Sequence, residues 1–296
     1  MNDGAAHTIQ FGVNFRGAAS PADFTGFVRR ADELGFDVLA APDHLGAPDP
    51  FVALSAAAMV TARLRLRTYV LNPAFWNAAL LAREVATLDL ISGGRIELGL
   101  GAGYNRSEFE DAGLAWSRHD ERVEVMERLL LEVRRRLSDA SMQPKPVQPH
   151  VPVMVGAMSG LGLAVAARHA DIVGFSGLRQ VKGRLTLCSA EETAERVAEV
   201  KRLAAGREYR SDVLLQRVVV EGDPEQAAAA FAKEVGGDIS GADILESPFV
   251  LMSHDPAQAA AELRRRGAVF GFDSVTTHQP SMAALGQVIA AFNRSG

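Results

Sequence analysis

The chain has 296 residues, 48% hydrophobic content, a single cysteine and a net charge of -5. That length holds one α/β barrel or two smaller domains, and the acidic balance argues against a nucleic-acid surface, which would need a surplus of Lys and Arg; a lone Cys188 allows neither an internal disulfide nor a multi-cysteine metal site. No stretch reaches the ~18 apolar residues of a membrane helix and the first residues, MNDGAAHTIQF, do not read as a signal peptide, so a cytoplasmic protein with a small-molecule substrate, and with neither membrane nor nucleic acid as partner, is expected.

Short β-branched apolar runs alternate with longer helical patterns. The pattern predicts strand Ile9–Asn14, helix Pro21–Leu34, strand Val38–Ala41, helix Pro50–Ala62, strand Leu66–Leu71, helix Ala78–Ile91, strand Ile96–Leu100 and, after a long loop, helix Arg118–Leu137. It continues with strand Val153–Val155, helix Leu161–His169, strand Ile172–Phe175, a helix within Ala190–Ala205 and strand Val213–Val220. Helices Pro224–Glu234 and Pro256–Arg266, strand Ser274–Thr277 and helix Met282–Phe292 complete it. Eight strands, each followed by helix and nearly continuous in apolar character, are what a sheet buried on both faces requires, and a closed (β/α)8 TIM barrel fits best. The short Pro-rich stretch Gln143–Pro152 reads as a connection, so residues 1–296 are expected to form one domain. Two loops, at about 101–117 and 177–190, exceed what connection needs and follow strands, at the end where barrel enzymes keep their sites.

Several residues at those strand ends could carry chemistry. Gly99, Gly101 and Gly103 either let the strand turn or let a backbone approach a flat ligand; a dinucleotide fingerprint fails because Tyr104 stands where a third glycine would fall. A branched side chain at Gly101 is expected to block such a ligand without disturbing the fold. Asp43-His44 follows strand two, and His44 is the acid–base candidate because imidazole titrates near neutrality. Gly156-Ala157-Met158-Ser159 joins strand five to a helix, with Ser159 as N-cap and the preceding amides as an anion nest. His119, Asp120, Glu121 and Arg122 read as a solvated helix face, and the seven histidines show no paired ligand spacing, so no metal is expected. Asn14 and Arg16 after strand one, Trp76 with Phe75 after strand three, and His278 after strand eight are candidate substrate residues.

The segments ELGFDVLAAPDHL, RLRLRTYVLN and LLAREVATLDLISGGRIELGLGAGYNRSEFEDAGL resemble the luciferase-like flavin and deazaflavin oxidoreductases, and weaker echoes run in family order through PVMVGAMSGLGLAVAARHADIVGFSG to ESPFVLMSHDPAQAAAELRRRGAVFGFDSVTT. The resemblance implies a luciferase-like barrel that binds coenzyme F420, with FMN as the alternative. It implies a glycine floor at Gly101 and Gly103 beneath the ring, Tyr104 and Asn105 near the cofactor's polar arm, and Asp43 and His44 against the ring. It also implies a bulge at Val70-Leu71-Asn72-Pro73 carrying a cis non-prolyl peptide, for which Asn72–Pro73 offers a prolyl alternative, and a phosphate held at Gly156, Ala157, Met158 and Ser159. The activity implied is hydride transfer between F420 and a small organic substrate; the alternatives are an FMN-dependent two-component monooxygenase and a non-catalytic flavin-binding accessory protein. Arg16, Arg106, Arg179, Lys182 and Arg184 on mouth loops suit the anionic tail of F420. A homodimer is expected, with a flavin or F420 reductase as a further partner.

Overall fold

A computed structural model describes residues 9–181, 184–236 and 239–294. Its centre is a closed barrel of eight parallel strands in the order β1-β12-β9-β6-β5-β4-β3-β2, with β1 and β2 paired to close the ring. These strands are β1 (Gln10–Asn14), β2 (Val38–Ala41), β3 (Arg65–Thr68), β4 (Ile96–Gly101), β5 (Val153–Gly156), β6 (Ile172–Phe175), β9 (Arg210–Leu215) and β12 (Ser274–His278). Helices α1 (Pro21–Glu33), α2 (Pro50–Val60), α3 (Ala78–Ser92), α5 (His119–Leu137), α6 (Gly160–His169), α7 (Ala190–Ala204), α8 (Pro224–Val235), α10 (Pro256–Phe270) and α11 (Met282–Arg294) accompany them. Four of these nine begin where the sequence provides both a cap and a rigid first residue. Ser20, Asp49, Asp223 and Asp255 each accept from a backbone N–H of the first turn and are each followed by proline, whose fixed φ suits the helix start.

Alternation along the strands divides the side chains between two cores. Phe11, Val13, Leu39, Leu66, Leu98, Val155 and Val213 join the large apolar cluster shared with the helices. The opposite face of each strand meets in the lumen, and its lower part is charged. Arg67, fully buried, donates to Glu97 at 2.6 Å and to Asp212 at 3.0 Å; Arg65 and Arg210 also reach Glu97, at 2.6 and 3.1 Å. Asp212 in turn accepts from Tyr69 (2.6 Å), Ser274 (2.5 Å) and Thr276 (2.9 Å). Burial alone would raise the Glu97 carboxyl, but Arg67, Arg65 and Arg210 hold it down at about 2. Above this layer Ala40, Tyr69, Met154, Ile172 and Leu214 form a small apolar plug with Val70 packed on it.

Four features depart from the sequence reading. Strand three ends at Thr68, Leu71 keeps only an isolated bridge to Leu100, and the Tyr69–Val70 peptide between them is cis. The non-prolyl cis bond thus lies there and not at Asn72–Pro73; Gln143–Pro144 is the other cis bond of the described residues. The run Val213–Val220 breaks at Gln216, whose backbone N–H turns to Phe249 O (2.7 Å) and opens a separate two-stranded sheet of β10 (Arg217–Val219) and β11 (Val250–Met252). The 101–117 loop contains helix α4 (Arg106–Asp111), and the 177–190 loop contains the antiparallel pair β7 (Leu178–Val181) and β8 (Arg184–Leu187). Lys182 lies outside the described residues. A further short helix, α9 (Gly241–Glu246), caps α8.

Candidate active site

The C-terminal ends of β1, β2, β4 and β12 bring together most of the predicted residues. His44, just past β2, lines a pocket of about 290 Å³ with Arg16, Leu45, Gly46, Ala47, Tyr104, Asn105 and Glu108. Its Nδ1 lies 2.8 Å from Glu108 Oε1, and its Nε2 lies 3.4 Å from the Tyr104 hydroxyl, whose ring meets the imidazole edge-on at 5.6 Å. Glu108 is only 7% exposed and was not anticipated. Its position three residues after Asn105 has the spacing of a helix capping box, but Asn105 caps α4 by accepting from Ser107 N–H while the Glu108 carboxylate turns to His44. A carboxylate on Nδ1 fixes that nitrogen as the protonated one and turns the Nε2 lone pair to the pocket, where it accepts a long hydrogen bond from the Tyr104 hydroxyl.

Asp43 faces away from this pair. Its Oδ2 accepts from the backbone N–H of Asn72 (3.0 Å) and from Trp76 Nε1–H (2.8 Å), which ties the β2 end to the strand-three bulge. Burial raises its carboxyl from the ordinary value, and the two donated hydrogen bonds oppose that rise. Trp76 packs edge-on against Phe51 at 5.3 Å, so Asp43 and Phe51 together fix its indole.

The glycine row has an occupant of its own. A Cβ at Gly101 would lie 2.5 Å from Val70 Cγ2, one at Gly156 would lie 3.4 Å from Val70 Cγ1, and one at Gly99 would lie 2.0 Å from Thr68 O. These glycines make room for the bulge, and Val70, half-buried, covers the row. The expectation that a branched residue at Gly101 would spare the fold is therefore corrected: the space is already filled. Gly103 has φ +71, and a Cβ there would meet the Asn72 side chain at 2.8 Å, so glycine is required on both counts. Leu71 is fully buried beneath, with N–H and C=O bonded to Gly99 and Gly101.

At β5, Ser159 caps α6 by accepting from Gly162 N–H (3.2 Å), as the sequence suggested, and its hydroxyl also lies 2.7 Å from His119 Nε2. His119 stays on the exposed face assigned to it while reaching Ser159, whereas Arg122 of the same group is buried. Burial first, then the Arg122 charge, lower the His119 pKa, with Asp120 opposing. Arg122 itself is 9% exposed, donates to the carbonyls of Gly103 (3.3 Å) and Ser117, and lies 3.8 Å over the Trp116 ring. Arg196 Nε donates to Met158 O at 3.2 Å, which holds the 156–159 turn from the α7 side.

Asn14 and His278 close the ring, as register partners on β1 and β12. Gln216 Nε2 donates to Ser176 O (2.7 Å) and so presents its carbonyl oxygen to His278 Nε2 (3.3 Å). Burial, then the charges of Arg16 and Arg217, push the His278 pKa down to about 4. A larger hollow of about 740 Å³, lined by Asp171, Lys201, Arg207, Tyr209 and Arg210 among others, sits at the opposite end, beside the strand starts, and contains none of the predicted residues. Chemistry in such barrels belongs to the strand C-termini, so the smaller pocket is the candidate.

The fold is a closed (β/α)8 barrel with a polar pocket at the strand C-termini. Residues 2–287 match the model of the luciferase-like monooxygenase family, and the chain belongs to that family. It is 30% identical over 177 residues to an F420-dependent glucose-6-phosphate dehydrogenase of Amycolatopsis mediterranei (52% of each chain), and 26% identical over 190 residues to an FMNH2-dependent dimethylsulfone monooxygenase of Pseudomonas putida (59% of this chain, 49% of that one). The chain spans about half the length of the curated relatives it matches. An F420-dependent secondary alcohol dehydrogenase, solved with an F420–acetone adduct, shares the fold with a TM-score of 0.77 at 17% identity, over 96% of this chain and 99% of that one. Homologues of both cofactor types occur, and among the described residues no helix is long and apolar enough to cross a membrane.

Proposed function

We propose that this protein is an F420-dependent oxidoreductase that moves a hydride between the deazaflavin and a small organic substrate in the cytoplasm, with His44 as the acid–base group. The observation that carries this reading is the His44–Glu108 pair: a buried carboxylate on Nδ1 and an Nε2 that faces the pocket at a barrel mouth, where only the long contact to the exposed Tyr104 hydroxyl has to give way to a substrate. When bound, F420 would supply the hydride donor or acceptor. His44 Nε2 takes the proton of a substrate hydroxyl in the oxidising direction and returns it in the other, and Glu108 stabilises the imidazolium formed.

The residues present fit a flat ring with an anionic arm. Val70 over the glycines of β4 and β5 offers an apolar ledge, and Asn72 and Gly103 border it. Ser159 and the first amides of α6, with His119 beside them, suit the phosphate; Arg16 and Arg106 suit the tail. The exposed apolar Val52 and Met59 on α2 and Leu80 on α3 support a homodimer, in which residues 1–296 act as one unit.

Titration of the protein with F420 and with FMN tests the cofactor. F420 is expected to bind at least tenfold more tightly, a gap of about 1.4 kcal/mol. Tight FMN binding without F420 binding would instead support the two-component monooxygenase, with its separate reductase, and binding of either cofactor with no turnover on any substrate would favour the accessory protein.

A further inference from the structure

We propose that Asn14 and His278 form a subsite for paired hydroxyl groups, so that the substrate is a neutral diol or polyol rather than a simple alcohol, amine or apolar molecule. This rests on the reading that the barrel mouth is the substrate site. Gly12, Thr276 and Asp212 fix which strand faces look inward: a Cβ at Gly12 would lie 2.6 Å from the Thr276 hydroxyl, and Thr276 bonds Asp212 of the neighbouring strand on the lumen side. Two residues further along each strand, Asn14 and His278 occupy the same inward face at the mouth, and they are paired in register.

Both side chains carry a buried polar atom without a hydrogen-bond partner, Asn14 Oδ1 and His278 Nδ1, and Asn14 is only 2% exposed. Buried polar atoms are normally satisfied, so two neighbouring exceptions point to a ligand. The chemistry of that ligand follows from the surroundings. Gln216 must give its amide N–H to Ser176 O, so its oxygen faces His278 Nε2, and Nε2 must be the protonated nitrogen. Burial and the nearby Arg16 and Arg217 charges keep the ring neutral. Nδ1 is therefore a lone-pair acceptor, as is Asn14 Oδ1. The ligand must donate twice, to acceptors on strands about 4.8 Å apart. Arg16 and Arg217 repel ammonium donors, and of the neutral O–H and N–H donors that remain, adjacent hydroxyls on one carbon chain can span neighbouring strands.

Trans-1,2-cyclohexanediol and its dimethyl ether share a skeleton and differ in donors, so they serve as probes. Ligand-detected NMR on the full chain is expected to show saturable diol binding, with the ether at least tenfold weaker. In protein labelled with 15N-histidine, His278 Nδ1 is expected to show the shift of an unprotonated nitrogen and to move upfield when the diol is added. Asn14→Leu and His278→Phe are each expected to weaken diol binding about tenfold, with folding checked by circular dichroism. Equal binding of diol and ether, binding of neither, or a protonated Nδ1 in the free wild-type protein would overturn the proposal, and the last result does not depend on any variant. F420 titration of the same samples separates the two readings: diol discrimination without F420 binding leaves the subsite standing and removes the cofactor, and the converse does the opposite.

Discussion

The contact between Gly101 and Val70 gives a sharp test of what the glycine row is for. In Gly101→Ala the new Cβ would lie 2.5 Å from Val70 Cγ2, whereas carbon atoms in ordinary contact sit roughly 3.5–4.0 Å apart, so Val70 must retreat by about 1 Å. Overpacking of this size in a buried layer costs about 1–3 kcal/mol. In a Val70→Ala background that methyl is gone, and the nearest remaining atoms, Gly156 O and the residue-70 Cβ, lie at an unstrained 3.7 Å. Gly101→Ala should then cost nothing, and could stabilise by roughly 0.5 kcal/mol through the unfolded state, since no positive φ stands against alanine at this position. Urea denaturation of the four proteins of the cycle measures the coupling, expected at about 1–3 kcal/mol. Gly99→Ala is the control: its Cβ would meet the Thr68 backbone oxygen at 2.0 Å, which Val70→Ala cannot relieve. If Gly101→Ala costs the same in both backgrounds, Val70 does not fill that space and the account of the row is wrong.

Three further outcomes are expected. His44→Ala should lower turnover by roughly 10²-fold or more with much less change in cofactor affinity, and Glu108→Gln should shift the pH profile of kcat; a His44→Ala rate within threefold of wild type would remove that imidazole from the mechanism. Arg67→Met should destabilise by about 3–5 kcal/mol, because Glu97 and Asp212 would lose their shared buried partner in the lumen; a loss below about 1 kcal/mol in urea unfolding would contradict this. The His278 pKa falls from 6.5 to about 4 on folding, so between these pH values the unfolded chain binds the extra proton; the stabilisation is present above pH 6.5 and is lost as pH falls to 4. Wild type should therefore lose up to about 3 kcal/mol relative to His278→Gln across that window, and parallel stability curves would refute the shift.

The sequence by itself determined the barrel. Its apolar β-branched runs fall at the spacing of β/α units, its caps and prolines mark the helix starts, and the resulting eight strands need no information from distant residues. It also placed Asp43, His44, Gly101, Asn105 and Ser159 at strand ends, because a parallel barrel puts every strand C-terminus on one face. Only the tertiary structure decided what those residues touch. Glu108 looks like a capping residue until α4 swings it onto His44, and Arg122 looks solvated until α5 sets it over Trp116 and against Gly103 O. The split at Gln216 was hidden because Val213–Leu215 and Val218–Val220 are equally apolar, so the backbone hydrogen bond to Phe249, thirty-three residues away, decides it. The charges of Arg67, Glu97 and Asp212 look anomalous within apolar strands, and only barrel closure, which brings β3, β4 and β9 around one lumen, makes them one another's partners. Local pattern fixes an element because its cause lies within a few residues; a site is made by contacts between elements, and sequence spacing carries no record of those distances.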